Sequence, residues 1–187
     1  LQTNELIGRA AQERKKCNVT YLVPGREKAD KHIYHPYAMT FYGGALYTVC
    51  WSELRKAMRT FAVHRIQLVD ILNDTFTIPK GFDAEEFLDQ SFGISHDGEI
   101  EEVVLRFSRK EAPRIMEREW HPTQKIAKLP DGGIEMTLHV TGMDDLYCWL
   151  LPMGKDVTVI KPRRLRDLIL ASCRETIDHY RKLPEES

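Results

Sequence analysis

Short segments rich in β-branched and aromatic residues, separated by glycine and proline turns, fill most of the chain and limit its possible folds. In the clearest of them Ile134, Met136, Leu138 and Val140 alternate strictly with polar residues. Such alternation is typical of a strand with one buried and one solvated face. The pattern therefore predicts sheets that each cover a core on one side.

The first 82 residues predict one helix followed by a small antiparallel barrel. Glycine and proline turns separate four or five short strand patterns in about 60 residues, which is typical of a small antiparallel barrel. The predicted helix covers residues 3–15, and the strand patterns cover residues 19–23, 31–41, 45–51 and 59–72.

Residues 83–98 are acidic and contain Gly93, so we expect a linker there, with one short helix. Residues 99–187 then show a βαββαβ order with one more helix after the last strand, which predicts a ferredoxin-like second domain. The whole chain is thus expected to be α+β, with a barrel domain over residues 1–82 and a ferredoxin-like domain over residues 99–187.

Charge is unevenly distributed along the chain, although the net charge is only -1. Residues 1–66 contain eleven Lys and Arg against five Asp and Glu, whereas residues 67–105 contain one against ten. A basic segment is typical either of a site for nucleic acid or another anion, or of a solvated surface.

The sequence shows no apolar run of about 20 residues and no secretory signal pattern. Four scattered cysteines without a CxxC pair are typical of reduced thiols rather than of disulfides or a zinc site. We therefore expect a cytoplasmic protein with no membrane segment. Because the chain does not begin with Met, we also expect that an upstream part is missing.

Residues 31–66 contain a Pro-aromatic pair, a glycine turn, a tyrosine strand and an Arg-x-Phe-x-x-x-Arg-Ile strand, in the order Pro36-Tyr37, Gly43-Gly44, Leu46-Tyr47-Thr48 and residues 59–66. In this order they resemble the WYL domain, a small Sm-like barrel of bacterial transcription regulators. The chain departs from the family pattern in two places. Leu46 and Thr48 replace the signature Trp and Leu. Ala62 and His64 stand where the family commonly has a basic and an acidic residue.

The second half resembles the C-terminal extension domain of the same family. The matching features are residues 120–124 (Trp-His-Pro-Thr-Gln), Asp131-Gly132, the helix around Trp149, Gly154 and Lys161-Pro162. The resemblance implies that an N-terminal helix-turn-helix domain, which reads promoter DNA, is missing from this chain. It also implies a sensor of nucleic-acid effectors, including single-stranded DNA.

The candidate ligand contacts combine cationic side chains for phosphates with aromatic rings for bases. They are Arg59, Arg65, Tyr47, Tyr37, His64, Arg55, Trp51 and His35, with Lys31, His32 and the basic helix start at Arg163, Arg164 and Arg166 as weaker candidates. On an ideal strand Arg59 and Arg65 would share a face with Phe61, unless a bulge near His64 intervenes. The face that Arg65 uses is left open by the sequence.

Enzyme motifs such as GxSxG, HExxH, the P-loop and GxGxxG are absent from the sequence. His32 and His35 would face opposite sides of a strand, which disfavours a shared metal ion. We interpret Asp144-Asp145 as a helix N-cap region and Trp120-His121 as packing with a hydrogen bond. We therefore expect no catalytic residue, no metal site and no cofactor.

Three functions remain open at this point. The first is a sensor of single-stranded DNA or a short oligonucleotide. The second is a sensor of a small anionic metabolite or nucleotide, and the third is a dimerisation module without a ligand. Exposed sheet edges in the ferredoxin-like half also favour a homodimer.

Overall fold

A computed structural model describes residues 2–96 and 98–183. The chain forms two compact units, Leu1–Leu88 and Asp89–Ser187. Each unit has one antiparallel sheet and a few helices. The predicted α+β class is therefore confirmed.

The first unit has one five-stranded sheet with the order β4-β3-β2-β1-β5. Its elements are α1 Thr3–Glu13, β1 Lys15–Tyr21, β2 Asp30–Tyr42, β3 Ala45–Ser52, β4 Ala57–Ala62, a 3-10 turn Val63–Arg65, β5 Ile66–Thr75 and α2 Ala84–Leu88. Within the described ranges no ladder joins β4 to β5. The predicted barrel is therefore an open sheet, with β4 and β5 at its edges.

This sheet is nevertheless strongly curled, as its aromatic contacts show. Phe61 on β4 lies with its ring centroid 5.1 Å from that of Tyr21 on β1. Because two strands separate β1 from β4, these backbones would be about 14 Å apart in a flat sheet. The inner face holds Cys17, Val19 and other core residues, and Ile7 of α1 belongs to the same core.

Strand β2 covers the whole predicted range of residues 31–41, although Pro36 lies in its middle. Its pairing with β3 shifts register between Pro36 and Ala38, which is the position of a bulge. A bulge allows a proline to lie within a strand because the ladder is already interrupted there. The strand therefore continues to the hairpin turn at Gly43 and Gly44.

The second unit has a four-stranded antiparallel sheet with the order β7-β8-β6-β9. Its elements are β6 Glu101–Phe107, α3 Ala112–Met116, β7 Lys125–Lys128, β8 Ile134–Val140, α4 Met143–Leu150, a 3-10 segment Leu151–Asp156, β9 Val157–Lys161 and α5 Arg163–Tyr180. Read from the other edge, the order is fourth, first, third and second strand, which is the ferredoxin-like arrangement. The predicted fold of this half is therefore confirmed.

Strand β8 alternates as its sequence predicts. Ile134, Met136, Leu138 and Val140 are at most 1% exposed. Before strand β7, residues 120–124 form a turn in which Gln124 Oε1 accepts a 2.8 Å hydrogen bond from the Trp120 amide.

The segment before β6 belongs to the second unit and is bonded to helix α4. Asp145 Oδ2 accepts hydrogen bonds from the amides of Ile94 and Ser95 at 2.9 and 2.8 Å. Asp144 and Asp145 lie in the predicted N-cap region, in the first turn of α4, but the Asp145 carboxylate does not cap that helix. The N-cap of α4 is Gly142, and the carboxylate instead satisfies amides of a distant loop.

Gly142 is a position at which a side chain should not be tolerated. Its φ is +73°, and an added Cβ would collide with Ser91 Oγ and lie 2.8 Å from the Ser95 carbonyl oxygen. We expect Gly142→Ala to lower the free energy of unfolding by about 2–4 kcal/mol in urea titrations followed by circular dichroism. Gly98→Ala is the control, since φ is +82° there but no atom lies within 4 Å. It should cost only about 1 kcal/mol, and equal losses would contradict the steric argument.

The four cysteines divide into two buried and two exposed thiols. Cys17 and Cys50 are buried, whereas Cys148 and Cys173 are exposed. Burial raises the pKa of Cys17 to about 11 and that of Cys50 well above its usual value. Because the thiolate is the reactive form, we expect two thiols to react with Ellman's reagent at about pH 8 in the native protein. All four should react in denaturant, and a third rapid native reaction would contradict this assignment.

Candidate functional site

The predicted ligand contacts lie on both faces of the first sheet. Arg59 pairs with Cys50, so it lies on the inner face with the core. Trp51 pairs with His35 and lies on the outer face, where Tyr47 also lies by alternation along β3. The structure therefore separates Arg59 from three of the rings with which the sequence grouped it.

His35 and Tyr37 pack beneath the segment that follows β5. The ring of Phe76 stacks on His35 at a centroid distance of 5.2 Å and on Tyr37 at 5.5 Å. Phe82 meets Tyr37 edge-on at 5.0 Å. Burial raises the pKa of Tyr37. These two rings thus have packing roles, and their proposed contact with a ligand stays a prediction.

Glu53 contacts two side chains of the outer face, Lys16 and His35. Its Oε1 lies 2.8 Å from Lys16 Nζ and 2.9 Å from His35 Nε2. Lys16 and then His35 lower the pKa of the Glu53 carboxyl. Glu53 also begins the turn to β4, in which Arg55 is exposed and its amide donates to Ser52 Oγ at 3.3 Å.

A 3-10 turn, not a bulge, interrupts the strand between Arg59 and Arg65. Val63 and Ile66 anchor the turn in the core at 5% exposure each. His64 is exposed and lines a groove of about 830 Å³, whereas Arg65 is half-buried. Arg65 therefore belongs to the turn, so the even spacing from Arg59 does not place both on one face.

Four rings gather on the inner face and form what we call the aromatic cluster: Tyr21, His32, Tyr34 and Phe61. The rings of Tyr34 and Phe61 are stacked with centroids 4.2 Å apart. His32 lies 5.5 Å from Tyr34 and 6.3 Å from Phe61. The cluster joins strands β1, β2 and β4 and belongs largely to the core of the unit.

Two members of the aromatic cluster have polar atoms without partners. His32 is 5% exposed and Tyr34 is fully buried. Among the described residues, neither ring nitrogen of His32 nor Tyr34 Oη has a hydrogen-bond partner. Leaving a buried polar group unpaired costs about 1–3 kcal/mol. Native proteins rarely leave such atoms unsatisfied, so they mark a place where a water molecule or a ligand group can bind.

Charged groups of both signs act on His32. Burial is the main cause that lowers its pKa; Asp30 raises the pKa, and Arg55 and Arg26 lower it. Asp30 Oδ2 is already bonded to Arg26 at 2.8 Å. Burial raises the pKa of Tyr34, and Arg55 acts against that shift.

Arg59 lies two positions before Phe61 on the same face, and its Nη1 donates to the Met58 carbonyl at 2.9 Å. We define the candidate site as the aromatic cluster with Arg55 and Arg59. Of the eight predicted contacts, only these two arginines belong to it.

The alternation of residues along β2 contains a signal for this site. His32, Tyr34 and Pro36 alternate along β2 and are all buried. Period-two alternation therefore predicts that His32 and Tyr34 lie on one inner face. The sequence could not show that their polar atoms lack partners, because that depends on residues from three other segments.

Two of the three weaker candidates in the second unit pair with neighbouring carboxylates. Arg163 lies 3.4 Å from Asp167, and Arg164 forms an ion pair with Glu101. At Trp120-His121 the expected packing role is confirmed, since Trp120 Nε1 donates to the Ile115 carbonyl at 2.8 Å.

Within residues 2–96 and 98–183, no group of three or more His, Cys, Asp or Glu side chains is arranged to hold a metal ion. In the same part of the chain, every helix is too short or too polar to cross a membrane.

Known protein families match both units. Residues 2–71 match the WYL domain, and residues 99–177 match the WCX domain. The chain therefore contains a WYL domain followed by a WCX domain, the C-terminal extension. A WYL domain followed by a WCX domain is the architecture of transcription regulators of the PafC type.

The relatives cover nearly all of this chain. Protein PafC of Mycobacterium tuberculosis, in strains CDC 1551 and H37Rv, is 22% identical over 91% of the chain and 52% of its own length. The chain thus spans about half the length of these curated relatives. A crystal structure of a CRISPR Cas-related protein aligns with 97% of this chain and 51% of its own, with a TM-score of 0.63 and 14% identity. Its similarity supports the fold alone. Proteasome accessory factor B/C of Arthrobacter aurescens aligns with 91% of this chain and 26% of its own, at a TM-score of 0.42 and 17% identity.

The hydroxyl of Tyr34 provides a test of the candidate site. Because Oη has no partner among the described residues, we expect Tyr34→Phe to leave the free energy of unfolding unchanged or raise it by up to about 1 kcal/mol. Tyr37→Phe on the outer face is the comparison variant, and urea unfolding is the measurement. A loss of about 1 kcal/mol or more for Tyr34→Phe would show that the hydroxyl is already satisfied.

Proposed function

We propose that this chain is the effector-sensing part of a bacterial, cytoplasmic transcription regulator and binds single-stranded DNA or a short oligonucleotide. The observation that carries the proposal is the candidate site. There the buried polar atoms of His32 and Tyr34 lack hydrogen-bond partners among the described residues, and the charge of Arg55 acts to lower the pKa of both groups. Guanidinium groups suit phosphates, and proteins that bind single strands combine basic grooves with aromatic rings.

The charge balance of the first unit supports an anionic ligand. Residues 1–66 have six more basic than acidic residues. Three of the five carboxylates already pair with cations, namely Glu13 with Lys15, Asp30 with Arg26 and Glu53 with Lys16. The remaining positive charge includes Arg55 and Arg65, so an approaching polyanion would be attracted to this unit.

A regulatory output requires a second part of the protein. We infer that binding of the effector biases an upstream helix-turn-helix domain, which contacts promoter DNA. The relatives are about twice as long as this chain, which leaves room for such a domain. The effector must then bind two arrangements of the whole regulator with different affinity, since a ligand shifts an equilibrium only by that difference.

Fluorescence anisotropy with a labelled single-stranded oligothymidylate tests the binding. We expect binding at about 50 mM salt that weakens steeply as salt rises, with a slope that reports the number of phosphates neutralised. Arg55→Ala should weaken binding about tenfold and reduce that slope by about 0.7, because Arg55 is exposed in the candidate site. Arg106→Ala is the matched control, because Arg106 is an exposed arginine of the second unit that pairs with Glu135.

Absence of binding at low salt by a folded sample would contradict the nucleic-acid proposal. A small anion is the second candidate, favoured by the enclosure of the His32 and Tyr34 polar atoms. Competition between a mononucleotide and the oligonucleotide distinguishes the two ligands.

We further propose that the chain forms a homodimer through its second unit. Helix α5 exposes large apolar residues along its length, including Leu170 at 47%, Ile177 at 49% and Tyr180 at 67%. Exposed apolar area of this kind often marks a protein interface. Light scattering after size-exclusion chromatography should give twice the mass of one chain, and a monomer at micromolar concentration would contradict the proposal.

A further inference from the structure

We propose that His32 and Tyr34 are the buried hydrogen-bonding partners of a phosphodiester oxygen, and that His32 takes up a proton when that group binds. The proposal rests on the nucleic-acid function proposed above and identifies the groups that would recognise the ligand. His32 and Tyr34 lie outside the eight residues that the sequence favoured.

The buried polar atoms of His32 and Tyr34 have unused hydrogen-bonding capacity. Four buried side-chain atoms lack a partner among the described residues, and three of them are the two ring nitrogens of His32 and Oη of Tyr34. The fourth, Nε2 of His121, belongs to a ring whose Nδ1 lies 2.9 Å from Thr123 Oγ1. Among the described residues, His32 is thus the only buried histidine with neither ring nitrogen satisfied, and the buried hydroxyl of its neighbour Tyr34 also lacks a partner.

The surroundings determine which kind of group would fit. Aromatic rings of Tyr21, Tyr34 and Phe61 face His32 and offer it no hydrogen bond. Three charged groups act on His32, namely Asp30, Arg55 and Arg26, and Asp30 is paired with Arg26. Their formal charges sum to +1, which favours an anionic acceptor over a cation. Tyr34 Oη and a protonated His32 would both donate to it.

Proton uptake follows from the electrostatics. Without ligand, burial holds the pKa of His32 below its ordinary value, so the ring is neutral near pH 7. An anion in contact with the ring favours the imidazolium and raises this pKa in the complex. Where the bound form has the higher pKa, affinity increases as pH falls through the bound pKa and levels off below the free pKa. Phosphodiesters do not titrate in this window, so the change reports the protein.

The test is an anisotropy titration of a rhodamine-labelled oligothymidylate of about ten nucleotides without terminal phosphates, at constant ionic strength. We expect the chain to bind about tenfold more tightly at about pH 6 than at about pH 8, the change that uptake of up to one proton allows. His32→Gln should remove most of this dependence. His139→Gln, at an exposed histidine of the second unit, should retain it.

Tyr34→Phe provides a second, independent readout. It should weaken binding several-fold at every pH while the slope with pH is retained, because the phenol does not titrate in this range. A structural role would instead lower the stability of the unliganded protein. Weaker binding without lower stability therefore distinguishes recognition from folding.

Each outcome decides between the proposals. Binding that does not depend on pH, or the full dependence retained in His32→Gln, overturns the inference while the nucleic-acid function stands. Binding absent at every pH overturns both. If His32→Gln fails to fold, histidine ring NMR of the unaltered chain decides. A His32 ring that is neutral in both states at about pH 6.5 overturns the inference, and protonation on adding the oligonucleotide supports it.

Discussion

The packing of Phe61 against Tyr21 and Tyr34 is the contact on which the first unit depends. It joins the edge strand β4 to strands β1 and β2 across the inside of the sheet. Large aromatic rings bury much apolar area, and stacked or edge-on pairs add to it. This contact curls the sheet around the core that α1 covers. It also brings Arg59, two positions along β4, to the end of the same face.

The same packing leaves buried polar atoms unsatisfied. Alternation along β2 places His32 and Tyr34 on the aromatic inner face, where the ring nitrogens of His32 and Oη of Tyr34 have no hydrogen-bond partner among the described residues. The second unit has less conflict of this kind. Its alternating strand β8 is buried as predicted, and Asp145 satisfies the amides of the loop before β6. Natural proteins tend to break local rules where they bind ligands. The contrast favours the first unit as the place of recognition.

Much of the fold follows from local patterns, but the site follows only in part. Hydrophobic alternation and turn residues predicted most strands, and the order of elements predicted the ferredoxin-like half. The grouping of basic and aromatic residues failed because adjacent strand positions alternate between faces. His35 and Tyr37 pack under Phe76, which comes from a segment about 40 residues away. No local pattern contains that contact.

The sequence by itself determined the class of the chain, the two domains in their order and the inward alternation of β2 and β8. These are properties of neighbouring residues and of short-range periodicity. Only the tertiary structure decided that a 3-10 turn separates Arg65 from the strand of Arg59 and that Glu53 forms a hydrogen bond with His35. It also decided that the buried polar atoms of His32 and Tyr34 lack partners among the described residues. The reason is that register and burial are set by segments distant in the chain, and a hydrogen bond exists only where both groups meet.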